Sequence, residues 1–302
     1  MDKLTKPSKS IEDFYLDLIA GKRNNEKNNF LKNRLNDIKD LLVLEEKKYI
    51  ESATNRTLYT FKEHSIIEIN ESSEVVIKDE MESLYEQDFV SKPSSGKIGR
   101  EIYDYLKSLA LDETCPYCSV TKVSTIDHYL PKVKFPKFAV TPANLVPCCR
   151  DCNSAKGDKF YGLQSRMFIH PYFEDVGNFI WLKCTVVEGF WPINFRYEVE
   201  VLNDSNKILY QRICNQYNML DLYNILSNKA NRFFRYRIKS IIKNYKVGGI
   251  NLVIEYLQEA EESCKYVDLN SWEACMYNAL LNSTWFLTEA IEMIEEKYQL
   301  NI

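Results

Sequence analysis

Two C-x-x-C pairs, Cys115-Pro116-Tyr117-Cys118 and Cys149-Arg150-Asp151-Cys152, stand thirty residues apart in this chain and constrain everything around them. Each C-x-x-C step turns the backbone tightly enough to aim two sulfurs at one point, and two such steps supply the four thiolates of a tetrahedral zinc site. A closed site of four cysteines leaves no coordination position for water, so the expected Zn2+ is structural. The chain carries nine cysteines, and its opening MDKLTKPSKSIED lacks the basic-then-apolar profile of a secretory signal. Clustered cysteines in a reducing compartment bind metal more often than they form disulfides. Cys148 leaves a choice open. The run Cys148-Cys149-Arg150-Asp151-Cys152 offers two third ligands; the spacing favours Cys149, with Cys148 as a core residue or a substitute ligand. Cys184, Cys214, Cys264 and Cys275 have no partner spacing and are expected as ordinary buried thiols.

The rest of the composition belongs to a folded chain. A length of 302 residues implies about two compact units, or one core with helical additions. With 45% hydrophobic and 27% charged residues, and only 9 Gly and 9 Pro, disordered and fibrous classes are excluded. No apolar run approaches the roughly 20 residues of a spanning helix, so no membrane role and a cytoplasmic location are expected. The net charge of -4 argues against indiscriminate nucleic-acid binding by the whole surface and leaves room for a local basic face. Residues 51 to 90 hold ten acidic side chains against three basic ones, and residues 251 to 302 hold ten against two. From Cys115 to Phe160 there are seven basic and three acidic residues; from Asn224 to Val247 there are seven basic and none acidic.

Periodicity divides the chain into three regions. In residues 1–95, Ile11, Phe14, Tyr15, Leu18 and Ile19, then Leu31, Leu35, Ile38 and Leu42, recur at the spacing of a helical face. Ser65 to Lys78 alternates and predicts one or two short strands, and Lys92-Pro93-Ser94-Ser95-Gly96 reads as a linker. In residues 96–165, Ile98, Ile102, Tyr105, Leu106 and Leu109 line a helix that delivers the chain to Cys115. In residues 166–302, Phe179 to Val187 and Phe195 to Val201 predict a β-hairpin, and the pattern from about Asn206 onward is helical, as in Leu287, Ile291, Ile294 and Tyr298.

Threaded between and after the cysteine pairs are an Asp127-His128 doublet closing a short strand from Val123, a returning strand at Asn144-Leu145-Val146, and Cys152-Asn153 opening a helix. This order and spacing resemble the HNH, or ββα-metal, nuclease family, over roughly 45 residues of the chain. The layout is similar to that of the zinc-containing phage endonuclease that resolves branched DNA. The flanking GREIYDYL and HPYF are also similar to a group of bacterial HNH proteins found in phage-defence contexts. The expected fold class is therefore α+β: a mostly helical chain with an embedded, zinc-stapled ββα-metal core and a β-hairpin after it.

The chemistry suits the residues. Phosphodiester hydrolysis needs a base for the water, a cation on the developing phosphorane and stabilisation of the leaving oxygen. His128, neutral near pH 7, can take the water proton. Asp127 and the Asn153 side-chain oxygen form a sparse set of hard ligands suited to Mg2+ or Mn2+. Where many family members carry a His at the third position, this chain has Asn153, which favours these metals over zinc or nickel. The resemblance implies that the metal sits on the scissile phosphate and leaving oxygen, giving 5′-phosphate and 3′-hydroxyl ends, and that Asn144 holds the loop carrying the base. Lys156, one helical turn past Asn153, is expected to contact phosphate. An isolated Asp-His doublet is more often a surface turn; the surrounding motif reverses that reading. His64 is expected at the surface and His170 behind the site.

The acid-free stretch places Arg232, Arg235, Lys239, Lys243 and Lys246 along one side of a helix and Phe234, Ile238, Ile241 and Tyr245 along another. The basic row either neutralises DNA phosphates, with strong salt dependence, or is a solvated face balanced by the acidic C-terminal segment. Tyr236 and Arg237 are available to stack on unpaired bases. The acidic regions are poor DNA surfaces, suited to contact a partner protein or to restrain the nuclease. The expectation is a metal-dependent HNH endonuclease acting on DNA, as a bacterial anti-phage effector with an ATPase or sensor partner. Its rivals are a freestanding restriction or mobile-element nuclease and a catalytically silent zinc module that binds nucleic acid or protein.

Overall fold

A computed structural model describes the chain except for residues 2, 23–24, 65, 68–75, 91–96, 190–192, 201–205 and 299–302. The expected linker at 92–96 and the whole stretch between the first two strands, 68–75, lie outside the described residues. The chain divides into two compact units, Met1–Val176 and Gly177–Ile302. The 1–95 region and the whole of the 96–165 region fall in the first unit, and its boundary lies beyond residue 165. The class is α+β, mostly helical, with three two-stranded antiparallel sheets among the described residues. No described helix is long and apolar enough to cross a membrane.

The first unit runs α1 (Tyr15–Ala20), α2 (Glu26–Asp37), α3 (Lys39–Thr54), β1 (Ile66–Ile67), β2 (Val76–Ile77), α4 (Lys78–Ser83), a π-helical segment (Leu84–Val90), α5 (Lys97–Ser108), β3 (Thr125–His128), β4 (Leu145–Cys148) and α6 (Arg150–Lys156). The Leu31 to Leu42 stripe spans two helices rather than one: α2 ends at Asp37 and α3 starts at Lys39, while Leu35, Ile38 and Leu42 keep the same buried side. β1 and β2 pair antiparallel through Ile66 with Ile77 and Ile67 with Val76. Phe14, Leu18, Phe89, Ile102 and Leu106 close a core that also takes in Ile126 and Leu145 of the motif strands. The helical N-terminal residues and the cysteine-rich motif thus share one apolar interior, which hydrophobic burial stabilises. Gly99 permits the approach of α5 to the π-helical segment, since a Cβ there would lie 2.1 Å from the Asp88 carbonyl oxygen and 2.8 Å from Phe89 Cα.

The second unit opens with the expected hairpin, β5 (Leu182–Val187) paired antiparallel with β6 (Asn194–Val199). Phe195 and Tyr197 point inward and Arg196 and Glu198 outward, the alternation of a half-buried strand. It packs on α8 (Leu222–Val267) and α9 (Trp272–Leu281), which follow α7 (Lys207–Met219) and precede a second π-helical segment (Phe286–Ala290) and α10 (Ile291–Tyr298). Phe195 meets Phe234 at 5.5 Å, and the Tyr197 hydroxyl donates to the Trp272 carbonyl at 2.7 Å. Asn270 Oδ1 accepts from the Trp181 and Leu182 amides at 2.9 and 3.1 Å, tying the hairpin's base to the loop before α9. Gly249, at φ 65°, interrupts α8 just after its basic part. Arg232, Arg235, Lys239, Lys243 and Lys246 are exposed, whereas Phe234, Ile238 and Ile241 are buried, as the spacing predicts. Cys184 and Cys275 are buried, but Cys214 and Cys264 are only half-buried on α7 and α8, a correction to the expectation for the latter pair.

Candidate active site and metal centre

The Sγ atoms of Cys115, Cys118, Cys149 and Cys152 all lie within 4.8 Å of one another. A tetrahedral zinc with Zn–S bonds of about 2.3 Å needs sulfur–sulfur edges of about 3.8 Å, so small rotamer adjustments close the site. Local backbone chemistry builds both halves. On the first, Cys115 N–H donates to the Thr121 carbonyl at 2.9 Å and Ser119 N–H to the Cys115 carbonyl at 2.8 Å, with Ser119 at φ 51°. On the second, Cys149 caps α6 and its sulfur accepts from Cys152 N–H at 3.4 Å. Hydrogen bonding with Cys115 draws Cys118 and Cys149 toward the thiolate, the form that binds metal. Cys148 is not in the cluster. It sits in β4 opposite Thr125, and burial, then the Asp127 charge, pushes its thiol pKa well up. Of the two neighbours it is Cys149 whose sulfur lies in the cluster, because Cys149 leaves the strand to cap α6 while Cys148 is the last residue of β4.

β3 and β4 pair antiparallel, Asp127 opposite Val146 and His128 opposite Leu145. His128 is 8% exposed, and its Nε2 lies 2.8 Å from the Ala139 carbonyl oxygen. A carbonyl only accepts, so Nε2 carries the hydrogen and Nδ1 keeps the lone pair. Burial, opposed by this hydrogen bond, lowers the ring's pKa to about 3, which keeps it neutral. The Tyr85 ring stands edge-on at 4.3 Å and fixes its plane. Asn144, fully buried, clamps the loop that follows: its Oδ1 accepts from Leu130 N–H at 2.7 Å, and its Nδ2 donates to the Leu130 and Phe138 carbonyls at 3.0 and 3.1 Å. The loop bearing Ala139 is thereby held against His128.

Asp127 leaves the strand on the other side. Its Oδ2 accepts from the Tyr117 hydroxyl at 2.8 Å and its Oδ1 from Lys156 Nζ at 3.0 Å. Lys156 Nζ also donates to the His128 carbonyl at 2.7 Å. Lys156 is therefore 3% exposed and turned inward, a correction to the expected phosphate contact. An acceptor-rich pair of buried groups on β3, one carboxylate and one carbonyl, draws the ammonium in. Asn153 Nδ2 reaches the Ile126 carbonyl and Thr125 Oγ1, each at 3.4 Å. Because the carbonyl must accept, this orientation leaves Asn153 Oδ1 as the amide's remaining acceptor. Asp127, His128 and Asn153 border one cleft of about 280 Å3, with the exposed carboxylate of Asp158 on its rim. Asp127 Oδ2 is met by both Tyr117 and Lys156, so its Oδ1, which has Lys156 alone, keeps a lone pair; with Asn153 Oδ1 this makes a sparse all-oxygen set that fits a divalent cation keeping several waters.

A model of the HNH endonuclease family matches residues 115–159, the segment that carries the four cysteines and the cleft. The chain is 30% identical to protein ea31 of Escherichia phage lambda over 223 residues, 69% of this chain and 74% of that protein. The chain belongs to the HNH endonuclease family. It is also 27% identical to the Septu protein PtuB of Bacillus thuringiensis over 119 residues, 36% of this chain and 45% of that protein. No solved structure matches the chain.

Within the HNH motif, the structure brings His128, Asp127 and Asn153 to one cleft, sets Asn144 behind it, and keeps Arg232, Arg235, Lys239 and Lys243 in the second unit. Sequence reasoning missed Tyr117 as the hydroxyl partner of Asp127, although it lies inside the first C-x-x-C pair. It also missed Tyr85, Glu86 and Lys132 on the cleft wall, which lie outside the motif pattern or carry no spacing signal. His170 is buried behind the loop, stacked on Tyr129 at 4.1 Å with Nε2 3.0 Å from the Tyr49 hydroxyl. His64 is half-buried against Phe135 rather than on the surface, since its backbone N–H pairs with the Lys134 carbonyl.

Proposed function

We propose that this HNH protein is a metal-dependent endonuclease that hydrolyses DNA phosphodiester bonds, with His128 as general base. The observation that carries the reading is the Nε2 to Ala139 hydrogen bond, which leaves Nδ1 as the free lone pair of a neutral imidazole on a residue that lines the same cleft as Asp127 and Asn153. In this reading water attacks phosphorus, its proton passes to His128 Nδ1, the P–O3′ bond breaks, and the departing 3′ oxygen takes a proton from solvent water, leaving a 3′-hydroxyl and a 5′-phosphate; His128 then returns its proton to solvent. Asp127 and Asn153 Oδ1 would hold Mg2+ or Mn2+. Such an ion, when bound, supplies positive charge to the phosphoryl and leaving oxygens. Asn144 positions the base through the 130–138 loop, and Lys156 and Tyr117 orient the Asp127 carboxylate. The four cysteines hold structural zinc and tie α6, hence Asn153, to the first knuckle.

The exposed row Arg232, Arg235, Lys239 and Lys243 is proposed as a second DNA contact, with Tyr236, 68% exposed, available for stacking. Arg237 is already stacked on Phe233 at 4.7 Å and is the weaker stacking candidate. The likeness to a Septu protein supports a role in antiviral defence, and a sensor or ATPase partner is part of the proposal. A second reading, a freestanding nuclease of a mobile element, is favoured by the longer match, which is to a phage protein. Metal-dependent plasmid nicking by the purified chain alone supports the freestanding enzyme; nicking that appears only with a co-expressed neighbour supports the partnered one. Inactivity under both conditions, with zinc bound and the fold intact, supports the silent zinc module instead.

A further inference from the structure

With Lys156 turned inward, the cleft's positive charge comes from elsewhere, and among the described residues that line it one side chain is a cation: Lys132. It lies four residues after His128, at the start of the loop that Asn144 clamps. Its ammonium is 5.9 Å from the centre of the Tyr85 ring, the same ring that meets His128 at 4.3 Å. Base and cation thus share one aromatic wall. Lys132 Nζ donates to Glu86 Oε1 at 2.7 Å. The two partners are unequally placed: the Lys132 side chain is 19% exposed and that of Glu86 62%. The Lys132 side chain is largely set into the wall, and that of Glu86 lies mostly in solvent.

A carboxylate oxygen and a phosphodiester oxygen offer an ammonium the same charge and the same acceptor chemistry. An ion pair with one partner open to water holds that partner weakly. We propose that Lys132 seats a DNA phosphodiester beside His128, and that Glu86 occupies that seat until an arriving strand displaces its carboxylate into solvent. The assignment rests on the nuclease reading and specifies how its substrate is held. Leu84, Tyr85 and Phe89 are buried, so the π-helical segment stays anchored while the Glu86 side chain alone swings away. The acidic region before the motif then restrains the site through one named carboxylate, without a change of fold.

The test is a double-mutant cycle on DNA binding, read by anisotropy of a fluorescein-labelled duplex in Mg2+, with all proteins also carrying His128→Ala so that no strand is cut. Glu86→Gln is expected to tighten binding about 3- to 10-fold, and Lys132→Met, which keeps the stem against Tyr85, to weaken it similarly and to reduce the salt slope by about 1. In the Lys132→Met background, Glu86→Gln is expected to change affinity less than about 2-fold, because the seat it frees has lost its cation. Removal of a general repulsion would act equally in both backgrounds. An equal effect in both, or no DNA binding by any variant, overturns the assignment. Nicking by the protein with an intact His128 is scored separately. Nicking without coupling sinks the Lys132 assignment alone, and coupling without nicking, by the chain alone and with its co-expressed neighbour, sinks the nuclease reading alone.

Discussion

Lys156 Nζ lies 2.9 Å from Asp127 Oδ2, and both side chains are 4% exposed. Removing one member of a buried pair strands the other charge in a poorly solvated site, which costs about 3–5 kcal/mol. Lys156→Met is therefore expected to lower the urea midpoint substantially and to abolish cleavage, because Asp127 loses the contact that orients it. Lys156→Arg keeps the charge but not the compact head that reaches the His128 carbonyl, and is expected to recover stability only in part. A Lys156→Met protein as stable as the wild type contradicts the assignment of this pair.

Zinc content separates the two adjacent cysteines. Cys149→Ser is expected to lose bound zinc and most of its cooperative unfolding, since it removes both a ligand and the sulfur cap of α6. Cys148→Ser is expected to keep about one zinc per chain, as its side chain lies outside the four-sulfur cluster. Metal analysis of the purified variants reads both outcomes, and equal zinc loss would contradict the ligand set.

Asn144→Ala leaves Leu130 N–H and two carbonyls, those of Leu130 and Phe138, without their buried partner. A loss of about 2–4 kcal/mol is expected from chemical denaturation. The loop that presents Ala139 to His128 Nε2 also loosens, so the cleavage rate should fall by about 10- to 100-fold in protein that remains folded and zinc-loaded. A normal rate in folded Asn144→Ala protein would contradict its positioning role.

Glu46 gives the fold a pH dependence outside the motif. Its carboxylate accepts from Ile11 N–H at 2.9 Å, and burial pushes its pKa up to about 7. Between the ordinary carboxylate range and about pH 7 the folded chain keeps a proton that the unfolded chain has released. Stability from this group is therefore present at low pH and is lost as pH rises through that window, by up to about 3 kcal/mol in all. Glu46→Gln retains the acceptor for Ile11 and should flatten that slope; denaturation midpoints measured from about pH 5 to pH 8 test it. An unchanged slope removes Glu46 as its source.

The parts of this structure legible in the sequence are those set by local spacing. The C-x-x-C steps, the Asp127-His128 doublet and Asn153 form an arrangement that fits zinc and a hard divalent cation in a ββα order. The helical stripes in 11–42 and 98–109 mark the core side of α1 to α3 and α5. The stripe does not show the break at Ile38, because both helices bury the same side across it. The inward turn of Lys156 escapes the sequence for a tertiary reason: the acceptors that draw it in, Asp127 and the His128 carbonyl, belong to a strand whose packing against α6 no spacing rule encodes. Glu86 meets Lys132 from 46 residues away, and a contact that distant leaves no local pattern.

The most direct measurement of the central claim is nicking of supercoiled plasmid by purified protein in Mg2+ or Mn2+ beside a chelator control, with His128→Ala run in parallel. The account predicts metal-dependent conversion to open circles bearing 5′-phosphate and 3′-hydroxyl ends. It predicts a loss of at least about 100-fold in the variant, whose zinc content and melting temperature stay close to those of the wild type. Equal nicking by wild type and His128→Ala, or nicking that survives the chelator, would contradict it.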